Sequence, residues 1–228
     1  MTSLRKNTDR AKLAVVMLSV MVGLDVLSAI SSFMQYQLLS DFRDGVVFSE
    51  ADGAANDLRE SIIGAVYTLF YIVTVVVFIQ WFRRAYFNLH LRTQNLRHSE
   101  GWAAGAWFIP IFNLYAPVQI MMDLYKASRN VLRKAGFTEE LDLPTNLVSI
   151  WWALWVLGSI MSNINTRMVL SENLDSLVNG SMIAVFAHLL SLGAAITLIF
   201  VIQKYAKVEP LLSDLRSEID SIGQNTED

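Results

Sequence analysis

Long apolar stretches alternate with short charged ones along this chain. Four of them are long enough to cross a hydrocarbon core of about 30 Å, which takes roughly 20 helical residues. They run from Leu13 to about Leu39, from Ser61 to Phe82, from Leu147 to about Asn165, and from Ser181 to Ile202. Runs such as Val73-Thr74-Val75-Val76-Val77 would favour a strand in water. In lipid the backbone must close its hydrogen bonds within the segment, so these runs are predicted to be helical. Arg5, Lys6, Arg10 and Lys12 give the first stretch the basic start of a signal peptide. Its apolar part far exceeds an h-region of about 7–15 residues, so a retained span is expected.

A fifth apolar stretch, Gly101 to Tyr125, contains Pro110 and Pro117 with Asn113 between them. Cytoplasmic loops carry the excess of Lys and Arg. If this stretch does not cross, all 18 Lys and Arg except Arg43, Arg59 and Arg167 lie on one side. If it crosses, they divide evenly between the two sides. The expectation is therefore four spans in two hairpins, with both termini cytoplasmic. The Pro-broken stretch dips in as a re-entrant segment or lies on the inner face. Trp81, Trp102, Trp107, Trp151, Trp152 and Trp155 then all fall toward the cytoplasmic leaflet, where tryptophan favours the interface. They are read as interface anchors.

Two basic amphipathic helices are expected on that side, over 83–97 and 117–135. In the second, Val118, Met121, Met122, Tyr125 and Leu132 form a helical stripe. Pro117 suits a first turn and Gly136 a C′ position. Residues 1–12 form a basic cytoplasmic N-terminus ahead of the membrane domain (13–205). Residues 206–228 form an acidic tail, with Leu211 or Leu212, Leu215, Ile219 and Ile222 at helical spacing. That 209–222 helix is expected to dock on the basic inner helices or to make a short coiled-coil contact. Loop 40–60 is acidic and is read as solvated, with a cation or basic-ligand site as the alternative.

Composition agrees with an all-α membrane protein. Charged residues make up 17% and hydrophobic ones 54%, with a mean hydropathy of +0.40. Soluble domains carry about 25% charge. A disordered chain is excluded, since disorder needs low hydrophobicity and high charge. The net charge of −3 gives no sign of nucleic-acid binding. There is no cysteine, so disulfides and thiolate chemistry are excluded. With three His, no metal site is expected, and nothing calls for a cofactor.

The run GWAAGAWFIPIFNLYAPVQIMMDLYKAS, residues 101–128, carries a multi-part pattern. Its parts are Gly101-Trp102, Trp107-Phe108, Pro110, Asn113-Leu114, Pro117 and Ala127-Ser128. Upstream lies Trp81-Phe82-Arg83-Arg84-Ala85 and downstream Trp151-Trp152-Ala153-Leu154-Trp155. Over roughly residues 60–205 this resembles the bacterial membrane family described as domain of unknown function 4328. The resemblance implies a multi-pass membrane protein. It supplies no activity and no catalytic residue.

Few residues are candidates for chemistry. Asp25 is the one carboxylate deep in a span, where an ionised group costs roughly 2.5–3.5 kcal/mol on insertion scales. It is read either as a proton or cation site or as a hydrogen-bonding link to a neighbouring helix, the second weighing more. His188 lies about two turns into the fourth span, roughly 8 Å shallower than Asp25 at 1.5 Å per residue. A direct pair then needs tilt or an offset, and a histidine bonded elsewhere in the bundle is the plainer expectation. Pro110, Asn113 and Pro117 either line a site, as broken helices do in transporters, or make a turn, with Asn113 capping the break. Ala187, Ser191 and Ala195, and Gly101 with Gly105, recur every four residues and suit close helix packing or oligomerisation. No Walker loop, HExxH or GxSxG is present, so no enzyme is expected. The first functional expectation is an interaction or assembly module with the bilayer, a protein partner or a second copy. The alternative is a small transporter or channel using Asp25 and the Pro-broken segment, and an intramembrane enzyme is more distant.

Overall fold

The computed structural model describes residues 4–137, 141–171 and 173–213. Most of the acidic tail read as a helix over 209–222 lies outside the described residues. The described residues form seven α-helices: α1 (Thr8–Arg43), α2 (Glu50–His90), α3 (Trp102–Gly105), α4 (Pro110–Asn113), α5 (Ala116–Lys134), α6 (Thr145–Val169) and α7 (Leu174–Val208). The described residues contain no strand. α1, α2, α6 and the helix beginning at Leu174 are each long and apolar enough to cross a membrane.

Local chemistry sets the ends. The acidic loop shrinks to residues 44–49, because α1 runs on to Arg43 and α2 starts at Glu50. Ser49 and Asp52 form a reciprocal cap there: Ser49 Oγ donates to Asp52 Oδ2 (2.7 Å) and accepts from the Asp52 N–H (3.2 Å). The Ser49 hydrogen bonds hold the Asp52 carboxyl below its ordinary value. Asn173 Oδ1 caps α7 by accepting from the N–H groups of Asp175 and Ser176. Pro117 sits in the first turn of α5, and Gly136 follows its end at φ +90°. That is the left-handed conformation which glycine adopts without strain.

The chain forms two compact units from non-contiguous segments. The first comprises Met1–Val16, Val75–Ser149 and Leu198–Asp228, and the second Met17–Thr74 and Ile150–Thr197. The first unit has a large aromatic core. Trp81, Phe82, Tyr86 and Leu89 of α2 are fully buried, as are Met121, Leu124 and Tyr125 of α5 and Tyr205 of α7. Tyr125 Oη donates to the Val201 carbonyl at 2.7 Å. The buried face of α5 is rotated slightly from the expected stripe: Met121, Tyr125 and Leu132 are inside, while Val118 and Met122 are half-buried. The amphipathic helix expected over 83–97 ends at His90. The residues after it are held by Tyr86 Oη donating to the His98 carbonyl and by the Arg97–Asp123 ion pair (3.3 Å).

A buried polar cluster closes the first unit. Asn88 Nδ2 donates to Glu209 Oε1 (2.7 Å) and to the Arg5 carbonyl (2.9 Å), and Asn88 Oδ1 accepts from the Arg5 N–H. Asn7 Nδ2 donates to Glu209 Oε2 at 3.0 Å. Arg92 Nε reaches the Leu212 carbonyl at 2.6 Å. The described start of the acidic tail therefore docks on the basic end of α2. Burial pushes the Glu209 carboxyl above its ordinary 4.5, opposed by the Asn88 and Asn7 hydrogen bonds and by Arg84. A carboxyl raised in the folded state stabilises it fully below the unfolded value and loses that contribution as pH rises through the folded value. Glu209→Gln keeps an acceptor for both amides and removes the charge. It is expected to flatten this acid-side dependence of the melting temperature and to raise stability at neutral pH, checked by thermal unfolding across pH.

The second unit inverts the usual arrangement. Apart from Leu18, Met21, Trp151 and Val178, its buried residues are small or polar, among them Asp25, Ser28, Ser31, Ser32, Ala184 and Ala187. Many of its large apolar side chains face out, with Ile62 at 55%, Leu69 at 62% and Phe186 at 50% exposure. In water such a surface would aggregate. In lipid it is the expected solvent-facing side, and small residues let helices approach. A Cβ on Gly180 would meet Asn165 Oδ1 at 3.1 Å and Met168 Cβ at 3.2 Å, and one on Gly193 would meet Leu154 at 3.3 Å. These glycines carry the close approach of α6 and α7. Gly101 and Gly105 do not: a Cβ meets nothing within 4 Å at Gly101 and only Trp102 at 4.0 Å at Gly105. Gly180→Val is expected to cost about 1–3 kcal/mol by overpacking, read as a lower melting temperature, whereas Gly101→Ala is expected to be neutral.

Candidate functional site

The second unit brings Asp25, Tyr67, His188 and Ser191 together. Asp25 comes from α1, Tyr67 from α2, and His188 and Ser191 from α7, one turn apart. The Asp25 side chain is fully buried. Tyr67 Oη donates to Asp25 Oδ1 at 2.9 Å, and Ser191 Oγ donates to Oδ2 at 3.1 Å. His188 Nδ1 lies 3.3 Å from Oδ1. The Tyr67 ring meets the His188 ring edge-on at 5.2 Å. Both carboxylate oxygens thus accept a hydrogen bond, which is how a buried carboxylate is tolerated.

The pairing of Asp25 with His188 corrects the depth estimate. Counting from the edges of the apolar stretches separated the two by roughly 8 Å at the helical rise. The helices run past those edges, to Arg43 in α1 and from Leu174 in α7. Counted from these ends the offset is only about four residues, ~6 Å, which two side chains span. Arg43 and Asp175 lie 4.0 Å apart at the same end.

A cavity of about 370 Å³ adjoins this cluster. Tyr67 and His188 line it, with Tyr71, Trp155, Ser162 and Asn163 among the other walls. No Lys, Arg, Asp or Glu lines it. The polar wall from α6 went unread in the sequence, although Ser159, Ser162 and Asn163 recur at helical spacing inside an apolar stretch. Tyr67 was missed because a tyrosine in an apolar run reads as interface or filler. Ser191, read as a packing residue, is a ligand of the carboxylate.

The remaining candidates lie elsewhere. Asn113, Pro110 and Pro117 belong to the first unit, and the Asp25 cluster belongs to the second. Both prolines open helices, α4 and α5, rather than interrupting one. Their missing N–H groups therefore leave no carbonyl orphaned. Asn113 caps nothing: its N–H bonds to the Ile109 carbonyl (2.8 Å), and its Oδ1 is buried without a partner. Trp81 is fully buried against Phe78 and Tyr205, and Trp151 is 2% exposed. These two are core residues and not interface anchors, because both lie inside the packed protein. Trp102, Trp107, Trp152 and Trp155 are half-buried. The acidic residues of the 40–60 region are partly consumed by caps and ion pairs: Glu60 bonds Ser31 Oγ, and Arg59 pairs with Glu60 and donates to Asn56. Among the described residues no group of three His, Asp or Glu is placed to hold a metal.

Four spanning-capable helices and an inside-out second unit with a buried carboxylate define a multi-pass helical membrane protein. The profile of the family described as domain of unknown function (DUF4328) matches residues 44–207, and the chain belongs to that family. Tyr67, His188 and Ser191 lie within the matched region, and Asp25 precedes it. No curated protein and no solved structure matches the chain.

Proposed function

We propose that the chain is a small transporter that binds a solute inside the membrane, at the cavity beside Asp25. The observation that supports this is a fully buried carboxylate, in a helix apolar enough to cross a membrane, hydrogen-bonded to residues that also line a polar cavity. Structural packing alone needs no cavity of about 370 Å³ beside a fully buried acid. The cavity falls within the usual range for small-molecule sites, about 300–1,000 Å³. The role is binding and translocation, without covalent chemistry. The Lys and Arg bias supports an orientation with both termini in the cytoplasm of a bacterial cell.

The assembly reading keeps one observation in its favour. Phe108, Ile111 and Leu114 of the first unit are 75%, 73% and 60% exposed. In this reading the lipid bilayer covers them, which suits a re-entrant or interfacial turn in which the Asn113, Leu114 and Tyr115 N–H groups bond to carbonyls of the same turn.

Because the chain has no cysteine, single-cysteine labelling has a clean background. In reconstituted vesicles, Ser162→Cys is expected to react with a small water-soluble thiol reagent, and the outward-facing Ile160→Cys is not. Equal protection of both would overturn the cavity as a solute site. Ala127→Cys is expected to label only after permeabilisation of whole cells; labelling from outside would overturn the orientation.

A further inference from the structure

We infer that the cavity takes a small organic monocation, an amine or a quaternary ammonium ion, and that this cation and a proton on His188 exclude one another. The inference rests on the reading of the cavity as a solute site and names its substrate class. The charged and titratable groups facing the site are few. α1 presents Asp25, α2 presents Tyr67 and Tyr71, and α7 presents His188. The α6 wall is uncharged, and no Lys or Arg lines the cavity.

With Asp25 ionised, its Oδ1 is an acceptor that fixes the His188 proton on Nδ1. His188 Nε2 then carries a lone pair, and no described side chain hydrogen-bonds it. The site as a whole holds one negative charge. In a low-dielectric region that charge calls for one positive charge nearby. A proton on Nε2 supplies it, converting the pair to carboxylate and imidazolium. A cation in the cavity supplies it equally well, and both together leave the site one charge in excess. Tyr67, Tyr71 and Trp155 give the cavity aromatic walls, whose faces attract ammonium ions. An anion finds no cationic side chain there except His188, whose charge Asp25 already neutralises.

The test uses tetramethylammonium, choline and tetraethylammonium as probes on the purified full chain in lipid nanodiscs, with the uncharged choline isostere 3,3-dimethylbutanol as control. Binding is followed by calorimetry. The expected result is binding of at least one ammonium ion, with release of one proton per cation at acidic pH. Its apparent affinity falls about tenfold per pH unit on the acid side. His188→Gln keeps an N–H for Asp25 and is expected to bind without that pH dependence, while Asp25→Asn loses binding. Comparable binding of the uncharged control, pH-independent binding to the unaltered chain, or binding of none of the three cations would overturn the inference. Ser162→Cys labelling on the same discs separates the two claims. An accessible cavity that binds no cation overturns this inference alone, and an inaccessible one overturns both.

Discussion

Asp25→Ala is expected to lower the thermal stability of the extracted protein by several degrees, while Asp25→Asn leaves it nearly unchanged. Alanine removes the acceptor of Tyr67 Oη, Ser191 Oγ and His188 Nδ1 at one stroke. Interhelical hydrogen bonds in lipid are worth about 0.6–1.7 kcal/mol each. The loss is less than three times that, because Tyr67 and Ser191 lie 3.4 Å apart and can pair with each other. A net cost of about 2–3 kcal/mol follows from orphaned donors offset by that pairing. Asparagine retains a carbonyl acceptor for Tyr67. Charge and packing are therefore separable at this one position, and a stable Asp25→Asn protein is the variant in which function can be tested. Unchanged melting of Asp25→Ala, followed by size-exclusion and thermal unfolding, would mean that the carboxylate holds nothing.

Asn88→Leu is expected to have the larger structural effect. The Asn88 amide satisfies both backbone groups of Arg5 and the shortest hydrogen bond of Glu209. It is 1% exposed, so no water replaces it. Leucine leaves a buried carboxylate without its best donor, a class of change that costs about 3–5 kcal/mol. Adding Glu209→Gln is expected to restore part of that loss, because the two residues share one network and their effects are not additive. Readouts are the melting temperature and proteolysis near Arg5. Additive effects of the two substitutions would show that Asn88 and Glu209 act independently.

The sequence makes the architecture legible because lipid imposes simple rules. Length and apolarity mark all four long helices, and Pro117 with Gly136 marks both ends of α5. The site is legible only in part. Asp25 stands out as a charge in an apolar stretch, but its partners do not. His188 was set too shallow because helix ends were taken from the apolar edges, whereas Thr8, Arg43, Glu50 and Leu174 extend the helices into polar sequence. Tryptophan is ambiguous for a physical reason. An indole suits an interface and a core equally, and only the aromatic neighbours of Trp81, distant in sequence, decide for the core. Asn113 misleads because a Pro-Asn-Pro spacing fits both a broken span and a turn. In the fold the prolines start helices, which is the turn.

The central claim is that Asp25 and His188 form one responsive pair and not a fixed structural link. Infrared difference spectroscopy of the protein in lipid, recorded as pH is changed, tests this most directly. The account predicts carboxyl and imidazole signals that change together, both disappearing in Asp25→Asn. A pair whose carboxyl and imidazole signals stay constant from acid to alkaline pH, in a protein that remains folded, would contradict it.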